Sequence, residues 1–109
     1  MTNSDPQLIQ ECLAGSADAF GLLVERHQGR LFNAMVRASG DRELATEITQ
    51  EAFVLAFRKL STFRGEAAFY SWLFRIAMNV FISEKRRRGK TSVSVDAICL
   101  LYTSDAADE

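Results

Sequence analysis

The chain has 109 residues, enough for one modest domain with a single core. Its 48% hydrophobic and 25% charged content excludes a collagen-like, disulfide-stapled or generally disordered chain. The formal net charge of −1 hides a segregation: residues 1–57 carry four basic and eight acidic side chains, residues 58–90 nine basic and two acidic, and residues 91–109 four acidic and no basic ones.

In chain order, Asp5 followed by Pro6 suits a helix cap with proline in the first turn, and Leu8, Ile9, Cys12 and Leu13 form an apolar stripe that stops at Gly15. A second helix is predicted over residues 17–39, closed by Gly40, with Phe20, Leu23, Val24, His27, Leu31, Ala34, Met35 and Ala38 at the three-four spacing of a buried face. A third is predicted over about 41–60. Leu44, Ala45, Ile48, Ala52 and Leu55 take one side of it, and Glu47, Gln50, Glu51 and Arg58 the other. Residues 61–66 break the period and read as a loop with Gly65 as its flexible point. A fourth helix follows over about 67–88, with Phe69, Leu73, Ile76, Ala77 and Val80 as its core stripe. The expected fold is all-α: a compact bundle of about four helices in residues 1–90. Residues 91–109 form an irregular tail, read as a linker start and a non-native end. Residues 99–109 resemble the translation of a sequencing adapter; an ordinary acidic linker is the alternative.

The strongest chemical signal lies at the loop and the fourth helix. Six of the eleven aromatic residues fall there: Phe63, Phe69, Tyr70, Trp72, Phe74 and Phe81. They are interleaved with Arg64 and Arg75 and followed by Lys85, Arg86, Arg87 and Arg88. Aromatic faces accept unstacked bases and cations neutralise the backbone, a pairing suited to single-stranded nucleic acid. Ala68, Trp72, Arg75, Asn79, Ser83 and Arg86 share a helical stripe beside the core face. The Asn79 amide offers a donor and an acceptor to a base edge. Phe69, Tyr70, Phe74 and Phe81 are expected in the packing instead, and Trp72 divides between packing and base stacking. The Lys85–Arg88 run exceeds what a helix C-terminus needs to offset its dipole, which favours phosphate contact. His27 reads as a satisfied core or boundary histidine and not as a ligand or catalytic base.

No run of residues reaches the roughly 18–20 apolar positions of a membrane span, and the N-terminus lacks the layout of a secretory signal. A cytoplasmic protein without membrane insertion is expected. Cys12 and Cys99 lack a CxxC partner, so reduced thiols without metal or cofactor are expected. No nucleophile–base arrangement, phosphate loop or carboxylate pair supports an enzyme, and no catalytic residue is assigned.

The stretch Glu47-Ile48-Thr49-Gln50-Glu51-Ala52-Phe53 resembles region 2 of the extracytoplasmic-function sigma factors of the sigma-70 family, and so does Phe63-Arg64-Gly65-Glu66-Ala67-Ala68-Phe69-Tyr70-Ser71-Trp72-Leu73-Phe74-Arg75-Ile76-Ala77-Met78-Asn79. Residues 18–26 resemble that family's opening helices, and the likeness extends over roughly residues 5–90, nearest to the sigma-E type. The resemblance implies that Glu47, Gln50, Glu51 and Arg58 dock on the clamp coiled coil of the beta-prime subunit of core RNA polymerase. It implies that Phe63, Arg64, Gly65, Ala67, Ala68 and Asn79 recognise the non-template strand of the promoter minus-ten element, with Arg75 and residues 85–88 available to its phosphates. An anti-sigma factor is a further implied partner. Complete members continue into region 4, a helix-turn-helix reading the minus-thirty-five element, and no such pattern is found in these 109 residues. Two other readings compete with this one. One is a helical protein-interaction module whose basic surface meets an acidic partner. The other is a double-strand binder, disfavoured because no short turn separates two helices in the basic region.

Overall fold

The computed structural model describes residues 3–87 as four helices: α1 (Asp5–Leu13), α2 (Ala17–Ser39), α3 (Arg42–Lys59) and α4 (Phe69–Arg87), with one 3-10 turn at Leu60–Thr62. No strand occurs among the described residues, as the all-α reading expects. The expected linker and tail, together with Arg88 and Cys99, lie outside the described residues.

The starts of α1, α2 and α3 are each fixed by a short polar side chain. Ser4 caps α1 in a reciprocal capping box: its hydroxyl accepts from the Gln7 N–H at 3.3 Å, and the Gln7 amide oxygen accepts from the Ser4 N–H at 3.3 Å. The cap is therefore one residue earlier than the Asp5 expected from sequence, and Asp5 becomes the first helical residue, with its carboxylate free for other work. Ser16 caps α2 through the Ala19 N–H. Asp41 caps α3 through the N–H groups of Glu43 and Leu44, at 3.0 and 3.1 Å. Gly40 closes α2 at φ +71°, a left-handed geometry that glycine adopts without penalty, and its N–H donates to the Val36 carbonyl. Only Gly40 and Asp41 separate α2 from α3, so the two helices pack as antiparallel neighbours.

The core is continuous across all four helices. Leu8, Leu23, Leu31, Met35, Ile48, Leu60, Leu73, Met78 and Phe81 are its largest fully buried side chains. Helix α4 buries ten residues, Tyr70, Ser71, Phe74, Met78 and Phe81 among them, beyond the five-residue stripe read from its period. Helix α3 buries a wider arc than its sequence pattern indicates. Thr49, Phe53 and Ala56 are covered as well, because the helix packs on α2 with one side and on α4 with the other. The Thr49 hydroxyl satisfies itself on the Ala45 carbonyl at 2.7 Å, which lets a polar residue sit inside.

Candidate nucleic-acid interface

The site begins where α3 runs out. Leu60, 1% exposed, pins the 3-10 turn to the core, and the Phe63 N–H donates to its carbonyl at 3.0 Å. The Thr62 hydroxyl donates to the Lys59 carbonyl at 2.6 Å and ties off the end of the helix. Gly65 then turns the chain at φ +78°, and no neighbouring atom lies near its missing Cβ. Its role is the backbone angle alone. Helix α4 starts at Phe69, two residues later than the sequence reading, because Ala67 and Ala68 belong to the loop. The Ala68 carbonyl accepts from the Trp72 N–H at 3.3 Å and opens the helix.

Three rings carry this loop. Phe63 stands edge-on to Phe69 at 5.9 Å and tilted against Trp72 at 5.1 Å, while Phe69 and Trp72 lie 5.9 Å apart. Phe69 is buried and faces the core, whereas Phe63 and Trp72 are half-buried. Above the rings the loop closes a concavity of about 190 Å³ lined by Thr62, Phe63, Arg64, Gly65, Glu66, Ala67, Trp72 and Arg75. Six residues singled out from the sequence for DNA meet there. Ala68 faces the opposite side of the loop, where a larger cleft of about 960 Å³ separates residues 63–69 from Asp5, Pro6, Ile9 and Gln10 of α1 and Arg26 of α2.

Asn79 stands apart from that concavity. It is exposed one turn beyond Arg75, in a groove of about 310 Å³ between α3 and α4 that also holds Glu51, Lys59, Glu84 and Arg87. Further along, Arg86 and Arg87 are exposed and Lys85 half-buried; Arg87 forms an ion pair with Glu84. From Arg75 to Arg86 the helix rises about 16 Å. The stripe is thus a track with a concave head and a cationic end.

The second surface is the outer side of α3. Glu47, Gln50, Glu51 and Arg58 are all exposed there, as their spacing indicates. The structure adds Val54 and Phe57, 49% and 51% exposed, in the middle of the same side. The sequence reading passed over both, although their three-four spacing from Glu47, Gln50 and Glu51 was the available signal. Phe57 is partly sheltered by Phe20, 5.0 Å away. Gln50 also borders a cavity of about 330 Å³ shared with Gln28, Gly29, Phe32, Thr46 and Thr49.

A third cluster was not anticipated as a unit. The Asp5 carboxylate lies 2.6 Å from the Arg26 guanidinium and 2.8 Å from His27 Nε2, binding α1 to α2. His27 also packs on Phe69 and Tyr70, at 5.5 and 5.9 Å, so the boundary role read from sequence holds. Arg30 covers the Tyr70 ring from outside at 3.8 Å. Partial burial pushes the Cys12 thiol up, which disfavours the reactive thiolate. Among the described residues no group of three or more His, Cys, Asp or Glu side chains is arranged to hold a metal, and no helix is long and apolar enough to cross a membrane.

Comparison with known families gives a match to Sigma-70 region 2 over residues 23–91. The chain belongs to the sigma-70 region 2 family. It is 41% identical over 86 residues to the RNA polymerase sigma-H factor of Pseudomonas aeruginosa, covering 79% of this chain and 45% of that protein. It is 40% identical over 100 residues to the ECF RNA polymerase sigma-E factor of Escherichia coli, and 33% identical over 95 residues to that of Haemophilus influenzae. Each match covers 87% of this chain and 50% of the relative. The chain therefore spans about half the length of the curated relatives it matches. The likeness to the extracytoplasmic-function group read from residues 47–53 and 63–79 agrees with the names these relatives carry. Of the surfaces described above, the loop, α3 and α4 fall inside the matched region 2 segment and α1 falls outside it.

Proposed function

We propose that this chain serves transcription initiation: α3 docks on the beta-prime clamp coiled coil of core RNA polymerase, while the loop and α4 recognise and help to open the promoter minus-ten element. The observation that carries this reading is the concavity of Phe63, Arg64, Gly65, Ala67, Trp72 and Arg75, which combines aromatic walls with cations at its rim. Drawing a base out of a duplex costs a few kcal/mol of pairing and stacking. A pocket with ring walls returns part of that cost, and backbone contacts to Arg64, Arg75, Lys85 and Arg86 return the rest. Strand opening then needs no hydrolysis, because the domain binds the opened non-template strand better than the duplex and shifts the equilibrium toward it. Asn79, standing apart on the same track, reads a neighbouring base edge.

On α3, Glu47 and Glu51, with the neutral Gln50 between them, form a polar, acidic rim around Val54, an arrangement suited to a partner with basic flanks and an apolar centre. The polymerase docks there, and an anti-sigma factor competes for access in the cell. The compartment of action is the cytoplasm, where the polymerase works.

The test is a paired assay on the 109-residue chain. Asn79→Ala is expected to weaken binding to a single-stranded minus-ten oligonucleotide while polymerase capture persists. Glu51→Arg is expected to impair capture by core polymerase. Normal behaviour of both variants would remove the reading. An interaction module with a basic surface would instead bind oligonucleotides of any sequence alike.

A further inference from the structure

The loop of residues 63–68 is hollow on both sides. Phe63, Arg64, Gly65, Glu66 and Ala67 line the concavity that faces Trp72 and Arg75, and the same five line the larger cleft that faces α1. A thin wall with a recess on each face suits two successive nucleotides of one strand, one held on either side. The α4 side is taken by the unpaired base of the proposed function, on which this inference rests. The α1 side has no assigned occupant.

The chemistry of that cleft favours a nucleobase over a phosphate. Its floor is apolar, made of Ile9, 7% exposed, with Phe63 and Phe69 beside it. The Asp5 carboxylate at its edge is already shared by Arg26 and His27, at 2.6 and 2.8 Å, so that corner is close to electrically balanced. Glu66 lines the cleft and carries no ion pair among the described residues; its carboxylate repels a phosphate that enters but tolerates a neutral ring. Arg64 is exposed on the rim, where a cation attracts the phosphate backbone to the outside of the cleft. One side chain in the cleft offers both donor and acceptor without a charge. It is Gln10, exposed on α1 and facing the loop. Its position is set by the Asp5 ion pairs one turn earlier, which hold α1 against α2. The family match starts at residue 23, so α1 is no part of the segment it describes.

We infer that the cleft between α1 and the loop is a second base-binding site, with Gln10 as its specificity-determining residue and an unpaired nucleotide adjacent to the first as its ligand. Two bases of the strand are thus held out of the stack, and the second is read by an amide on α1, ahead of the residues matched to Sigma-70 region 2.

Fluorescence anisotropy with the 109-residue chain and a minus-ten oligonucleotide carrying one abasic site at each position in turn tests this. Two adjacent positions are expected to lose affinity on base removal, the second of them through the α1 cleft. Gln10→Ala, an exposed substitution outside the core, is expected to abolish discrimination among the four bases at the second position only, by roughly five-fold or more. Sensitivity at a single position, or unchanged base preference in Gln10→Ala, overturns the inference while leaving the α4 site standing. Equal binding of every oligonucleotide by the unaltered chain overturns the parent reading and this one with it.

Discussion

The loop and α4 present a surface that is concave, ring-walled and continuous with the core, while the outer side of α3 is convex and made of side chains that touch little beneath them. Phe69 is 2% exposed and holds up Phe63 and Trp72, so the rings of the first surface are tied to the core through it. Glu47, Gln50 and Glu51 are exposed on a helix whose buried arc lies opposite, so the second surface changes freely. A shape that must receive an extruded ring needs rigid walls. A docking face needs complementary charge and one apolar centre, and Val54 among acidic neighbours provides it.

That contrast is sharpest at Phe69. Phe69→Ala is expected to cost about 3–5 kcal/mol of stability, read by urea denaturation, and to dismantle the loop concavity with it. A loss under 1 kcal/mol would show that the loop stands independently of the core. Trp72→Ala removes one wall and is expected to cost about 1–3 kcal/mol in affinity for the minus-ten single strand, measured by anisotropy. A variant that binds as well as the unaltered chain would make Trp72 packing alone.

The two surfaces differ as well in how far they were legible beforehand. Helix count, the span of α2 and the core stripe of α4 follow from three-four spacing and from Gly40, since burial on one side imposes that period. The boundary misses were local: Ser4 outcompetes Asp5 as a cap because Gln7 completes a reciprocal box, and Ala67 and Ala68 stay in the loop although alanine favours helix, since the turn at Gly65 must be completed first. The pairing of Phe63 with Trp72 was legible as composition but not as geometry. The cleft against α1 was invisible, because Gln10 and Ala67 are far apart in sequence and no periodicity links them. Val54 and Phe57 do not follow from the pattern, because two apolar residues among Glu47, Gln50, Glu51 and Arg58 leave that side of α3 polar on average.

Smaller effects separate the surfaces further. Glu47→Arg is expected to weaken capture by core polymerase about ten-fold by placing like charge against a basic partner, with oligonucleotide affinity unchanged. Pull-down and anisotropy on the same preparation check both halves, and a parallel fall in DNA binding would merge the two surfaces into one. Arg75→Ala is expected to lower affinity evenly across sequences and to reduce the slope of log affinity against log salt by about 0.7, as the loss of one single-strand phosphate contact requires. An unchanged slope would take Arg75 off the strand.

The most direct test of the central claim sets the two strands of one minus-ten segment against each other, as separate labelled oligonucleotides titrated with the 109-residue chain at fixed salt. Tighter binding of the non-template strand, with the preference lost on scrambling its bases, is the expected result. Equal affinity for both strands and for the scrambled control would contradict it, leaving a cationic helix that attracts nucleic acid without reading any.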